Sequence, residues 1–204
     1  MSEFTAGSLT IQPYKTKLSE MNPVYMRDLN DKWVLFMTED TEAGEELPEQ
    51  VRALSAALPV LYFYNFEDHA WGYRIVHEGE ELAALHVSYE VKDEFIMQLA
   101  AQRYPDQDLF ELVYVDPGQT VYNQLAQEVN AWPSYVEAVA NQFANRNVEQ
   151  FRLFDVEDAC IERLRDILNG DYYGTLGSYR QLVREFKEVL HMKEMSWIRY
   201  DSLA

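Results

Sequence analysis

Hydrophobic and polar positions along the 204 residues change period part-way through the chain. Up to about residue 105 the apolar residues gather in short runs bounded by turn residues, which is the pattern of strands. From Gln119 onward they recur at intervals of three and four, which is the pattern of amphipathic helices.

The densest run is Pro59 to Glu90, PVLYFYNFEDHAWGYRIVHEGEELAALHVSYE. It predicts three consecutive strands, with a polar elbow from Asn65 to His69 between the first two. Trp71, Tyr73 and Ile75 alternate on one face, and Ala83, Leu85, Val87 and Tyr89 alternate on the next strand. The two faces coincide only when paired residue numbers sum to an even value, because a one-residue slip turns every side chain over. A three-residue loop at His77-Glu78-Gly79, with Gly79 as a left-handed bulge, meets that condition, and a plain Glu78-Gly79 turn does not. The same register sends Arg74 and His86 to the opposite face.

Before this stretch, residues 8–12 (SLTIQ) predict a short strand ended by Pro13, and Trp33 to Thr38 a second one. Asn22-Pro23 fits a helix start, yet VYMRDL fits equally a strand returning through Asn30-Asp31. Pro48 opens a helix with Val51, Leu54 and Leu58 on one face, and Pro59 ends it. A strand, a helix and a strand in that order suggest that 33–38 and 60–66 are parallel neighbours.

After Glu90, Asp93 is placed to cap a helix reaching about Arg103. LFELVYV, 109–115, fits a strand or a short buried helix. Val121, Tyr122, Leu125 and Val129 form one helical stripe. Ser134 with Glu137, and Ser178 with Gln181, have the spacing of capping boxes. The first box predicts Val136, Val139, Ala140 and Phe143 inward, and the second Leu182, Phe186 and Val189. Asp155 caps a helix striped by Val156, Cys160, Leu164 and Leu168, and Asn169-Gly170 stops it. The tail from Trp197 to Tyr200 predicts an edge strand. These elements give an α+β fold: a small mixed or antiparallel sheet with a central three-stranded meander, then a mainly helical second half. Residues 1–105 and 106–204 form two subdomains or one continuous domain.

Charge changes the picture most. Thirty-five Asp and Glu face 17 Lys and Arg, a net charge of −18. Such a field repels nucleic-acid phosphates and anionic membrane surfaces, and it favours solubility or a basic partner. Residues 39–81 carry eleven acids against Arg52 and Arg74. Glu42, Glu45 and Glu46 in that stretch are candidate partner contacts, as are Arg180, Arg184 and Lys187, which share one face of the last helix. The N-terminus lacks a basic segment followed by an apolar one, and no apolar run approaches the ~20 residues of a membrane span, so a cytoplasmic location is expected.

Candidate chemistry is sparse. The elbow residues Asn65, Glu67, Asp68 and His69 form the candidate binding site, and a carboxylate beside an imidazole can serve as an acid–base pair. A hydrolase-like activity at Glu67, Asp68 and His69 is therefore the alternative to a non-catalytic interaction protein of the inhibitor, immunity or regulatory type. His69, His77 and His86 do not converge on a meander, and no metal site is expected. The lone Cys160 lies on an apolar stripe, where a thiol acts as a small hydrophobe. GDYYGTLGSYR, 170–180, has glycines but no phosphate-binding spacing, so no cofactor is expected.

Overall fold

The first strand of the chain becomes a central strand of the sheet. In the computed structural model, which describes residues 4–41, 44–115 and 119–199, β1 (Phe4–Ile11) pairs on one side with β3 (Trp33–Met37) and on the other with β4 (Val60–Phe66). With β2 (Tyr25–Asp28), β5 (Ala70–His77) and β6 (Glu80–Ser88), the sheet order is β2-β3-β1-β4-β5-β6, and every neighbouring pair is antiparallel. The fold class is α+β.

The expected β3–β4 pairing is therefore corrected. The two strands do run in the same direction, but β1 lies between them, with Leu9 opposite both Leu35 and Leu61. The strand expected at 8–12 is the end of β1, which starts earlier, at Phe4, through the small and polar residues Thr5, Ala6 and Gly7. Their small side chains fit between two covered sheet faces, and Thr10 donates its hydroxyl to the Pro59 carbonyl at 2.8 Å. β3 then offers a free edge, which makes VYMRDL a strand. Asn30 Oδ1 closes that turn by accepting from the amides of Lys32 and Trp33.

The β5–β6 register has the even sum expected, with Trp71 opposite Val87 and Tyr73 opposite Leu85. The route to it differs. The hairpin closes on a two-residue Glu78-Gly79 turn, both residues at positive φ (54° and 83°), which is the type I′ geometry of tight hairpins. A bulge at Leu82 then shifts the register by one residue, since Val76 pairs with Glu81 and Ile75 with Ala83. The outer edge of β6 is closed by the 142–147 segment. Ala84 N–H donates to the Asn145 carbonyl, Asn147 donates to the Leu82 carbonyl, and Ser88 N–H donates to the Gln142 side chain.

Both sheet faces are buried. One carries Trp33, Leu35, Leu61, Phe63, Trp71, Tyr73 and Leu85, and is covered by the later part of the chain. That cover is a 3-10 segment (Val148–Phe154), a helix at Asp158–Ile167 and another at Arg180–Val189. Phe186 is its centre, stacked on Tyr73 at 5.3 Å and 4° and in contact with Phe63, Trp71 and Phe151. The other face carries Val34, Phe36, Val60 and Val76 under Leu18, Val51 and Leu58.

In chain order the α-helices are α1 (Lys15–Glu20), α2 (Glu49–Leu54), α3 (Val91–Arg103), α4 (Thr120–Val129), α5 (Pro133–Asn141), α6 (Asp158–Ile167), α7 (Gly170–Thr175) and α8 (Arg180–Val189). Residues 111–115 form a π-helical turn, so the 109–115 ambiguity resolves to helix. Residues of α3, this turn and α4 form a separate core of Ile96, Leu99, Ala100, Val113, Leu125, Ala126 and Val129. The 105/106 boundary drawn from sequence runs through this core, and the chain after Phe143 belongs to the core of the sheet.

Several local signals resolve differently. Neither capping box forms a side-chain cap, and Val136 is 54% exposed rather than inward. α6 begins at Asp158, three residues after the expected cap, because Asp155 adopts a left-handed conformation. Asn169 starts α7, accepting from Tyr172 N–H, and Glu90 rather than Asp93 precedes α3. The tail forms no strand over its described residues. Ile198 instead ties to β1, its carbonyl accepting from Ala6 N–H and its amide donating to Thr5 Oγ1.

Candidate functional site: a tyrosine-lined cleft beside the elbow

The elbow is a short hairpin loop. Phe66 pairs with Ala70, and His69 N–H donates to the Phe66 carbonyl at 2.8 Å. Its three polar tips have partners. Arg180, at the start of α8, holds Glu67 Oε1 at 2.5 Å and Asp68 Oδ1 at 2.9 Å. His69 Nδ1 lies 2.7 Å from Glu90 Oε1. Asn65 does not join them: it is buried in the sheet opposite Trp71, and its Oδ1 has no hydrogen-bond partner. Both carboxylates of the elbow are thus committed to Arg180, and their immediate effect is to dock the hairpin loop on α8.

The expected basic face of α8 divides into three environments. Arg180 is the elbow clamp, Arg184 is exposed, and Lys187 is buried with 8% exposure. The segment after α8 folds back over its last turn, so the Lys187 ammonium donates to the Met195 carbonyl at 3.0 Å and Ser196 Oγ at 2.7 Å. A buried ammonium requires such acceptors, and this need sets the path of the tail. Lys187 therefore leaves the set of partner contacts.

Among the acidic-loop candidates, Glu46 is exposed and Glu42 lies outside the described residues. Glu45 lies over the sheet, 3.5 Å from His86 Nδ1. The same nitrogen is 2.8 Å from Tyr64 Oη. Tyr64, Gly72 and His86 stand side by side on β4, β5 and β6. A Cβ at Gly72 would run into the Tyr64 hydroxyl and the Leu85 carbonyl, so glycine is what lets Tyr64 reach across to His86. His77, His86 and His69 remain apart, and among the described residues no group of three His, Cys, Asp or Glu is arranged to hold a metal.

A cleft of about 740 Å³ opens next to the elbow. The elbow's partners Glu90 and Arg180 are each preceded by a tyrosine, Tyr89 and Tyr179, whose rings meet at 4.3 Å on the cleft wall. α3, α4 and α5 contribute Asp93, Tyr122 and Tyr135, and α7 contributes Asp171 and Tyr173. Gly170, Gly174 and Gly177 line this cleft. Tyr122 donates to Asp93 Oδ1 at 2.9 Å. Burial first, then this bond to a carboxylate, pushes the Tyr122 phenol up to about 12. Burial, reinforced by the neighbouring phenols of Tyr135 and Tyr179, pushes Tyr173 up to about 12. These hydroxyls stay neutral at ordinary pH and present ring faces and oxygen acceptors. Sequence reading missed the cleft because its tyrosines come from five separate elements, each with an unremarkable pattern.

A second cavity of about 430 Å³ lies at the opposite end of α8, beside Val189, where half-buried Cys160 and Lys32 meet Asp155 and His191. Burial holds the Lys32 ammonium below its ordinary pKa. Lys32 donates to the Asp155 carbonyl at 3.0 Å. Of the expected stripe, Val156, Leu164 and Leu168 are buried together with Ile161 and Ile167, while Cys160 packs half-buried against that core and lines this cavity. Among the described residues, no helix is long and apolar enough to cross a membrane. No family model, no curated protein and no solved structure matches this chain.

Proposed function

We propose that the chain is a non-catalytic interaction protein that binds and restrains a basic partner protein, as an inhibitor, immunity-type or regulatory protein does. The observation that carries this reading is the lobe built from residues 90–141. It has nine acids against Lys92 and Arg103, a net charge of −7, and it also exposes large apolar side chains. Phe110 is 64% exposed, Val115 56% and Val136 54%. Apolar anchors inside a field of one sign are what an electrostatically steered protein interface requires.

Internal pairing does not cancel this field. Arg103 is held by Glu128 through two hydrogen bonds, at 2.9 and 2.5 Å. Elsewhere Arg74 pairs with Glu81, Arg163 with Glu185, and Arg180 with Glu67 and Asp68. These arginines are paired with acids of the same chain, and the acid excess of the sequence remains.

The test is capture from the source cells with the intact chain as bait, in low and high salt, alongside a variant with Asp106, Asp108 and Glu111 changed to Lys. A stoichiometric partner of basic pI, lost at high salt and lost by the variant, is the expected result. A partner retained equally by both baits at both salt concentrations overturns the proposal.

A further inference from the structure

We propose that the tyrosine-lined cleft receives a cationic side chain, an arginine inserted by the basic partner. This rests on the reading of the chain as a binder of a basic protein and names the group the partner presents. The walls are acceptor-rich. Rings of Tyr89, Tyr135, Tyr173 and Tyr179 line the space, and Asp93 and Asp171 bring carboxylates to it. Tyrosine faces carry the negative side of the ring quadrupole, and guanidinium, flat and weakly hydrated, stacks on them better than ammonium. Asp93 uses Oδ1 to accept from Tyr122, which leaves Oδ2 for a ligand.

The molecule already makes this contact twice with its own residues. Arg180 lies 5.5 Å from the Tyr179 ring centre, and Arg163 lies 5.7 Å from that of Tyr172. The lobe's charge draws cations toward the cleft mouth. A volume of about 740 Å³ takes a guanidinium together with the backbone that carries it. Among the described residues Lys92 is the only cation on the wall, so an anionic ligand would meet two carboxylates and the negative ring faces for one favourable charge. That lysine also makes the assignment testable in sign.

The experiment uses the full chain with ring-labelled tyrosine, followed by NMR. It is titrated with N-acetyl-arginine amide, with the citrulline analogue as a neutral isostere, and with N-acetyl-glutamate amide. Arginine is expected to shift the Tyr135 and Tyr173 rings in a saturable way while the Tyr64 ring, on the far sheet face, reports an unchanged fold. Citrulline and glutamate leave them in place. Asp171→Asn, at an exposed position, weakens the arginine response roughly three- to fivefold, and Lys92→Gln strengthens it by a similar factor. Citrulline acting as well as arginine, glutamate binding better, or Lys92→Gln weakening the response overturns the assignment. If the basic partner is captured but arginine leaves Tyr135 and Tyr173 unmoved, the cleft assignment fails and the binding function stands. If arginine binds and no basic partner is captured, the reverse holds.

Discussion

The sheet body and the lobe of α3 and α4 are stabilised in different ways. The sheet is buried on both faces, and its cover is keyed by one aromatic, Phe186, that touches Phe63, Trp71, Tyr73 and Phe151 together. The lobe has seven buried apolar residues, two of them alanines, and shares none with the sheet core. Its helices are also tied by polar links: the Arg103–Glu128 fork and the Tyr122–Asp93 bond. Polar cross-links at a surface contribute little beside buried area. The lobe is therefore expected to open first, and it is also the region with the exposed aromatics Phe110 and Tyr114 and nine acids against two bases. Stability is concentrated where the sheet is, and the proposed recognition surface lies where the packing is thin.

The comparison breaks most sharply under truncation of each core. Phe186→Ala leaves a void against four rings and costs about 3–5 kcal/mol. Urea unfolding should show the loss in both near- and far-ultraviolet circular dichroism. Leu125→Ala removes the centre of the lobe core and costs about 2–5 kcal/mol there. Its amides should lose exchange protection between 91 and 129 while those of β4 and β5 keep theirs. Equal loss in both regions would mean that the two cores unfold as one.

High pH is the next lever. Burial pushes the phenols of Tyr62, Tyr64 and Tyr73 well above the ordinary value, and Tyr122 up to about 12. A phenol raised on folding contributes stability that is complete below its unfolded value of about 10 and is lost as pH rises toward its folded value. Phenolate absorbance should rise first near the ordinary value for exposed tyrosines. A later rise, together with loss of near-ultraviolet dichroism, should mark the buried ones. One titration step with an unchanged dichroism spectrum would show that the sheet tyrosines are accessible.

The smallest effect is expected at the elbow. Arg180→Ala removes an exposed pairing with Glu67 and Asp68 and should lower the melting temperature by no more than about 2 °C. Exchange at His69 and Ala70 should quicken, since the loop is docked by that arginine. A large drop in melting temperature would make the clamp a principal support of the hairpin.

Much of the sheet was legible because its reason is local. Alternation in 71–76 and 83–89 defined which side chains share a face, and a one-residue slip would have exposed all of them. The bulge at Leu82 was not legible, since a two-residue turn with a bulge and a three-residue loop satisfy the same parity. Lys187 was misplaced for a similar reason. Its spacing from Arg180 and Arg184 is helical and correct, but the spacing says nothing about a tail that returns to cover it. The elbow was correctly seen as polar, yet its partners, Arg180 and Glu90, lie 112 and 21 residues away from Asp68 and His69.

By itself, then, the sequence determined the α+β class, the even register of β5 and β6, the strongly acidic field and the absence of a disulfide within a chain of one cysteine. These follow from periodicity, charge and composition, which act between near neighbours or over the whole molecule. Tertiary structure decided the rest. It placed β1 between β3 and β4, turned VYMRDL into an edge strand, divided the basic face of α8, and gathered tyrosines from separate elements into one cleft. Each of those outcomes depends on which surfaces remain to be covered once the strongest elements have packed, and that is a property of the assembled chain.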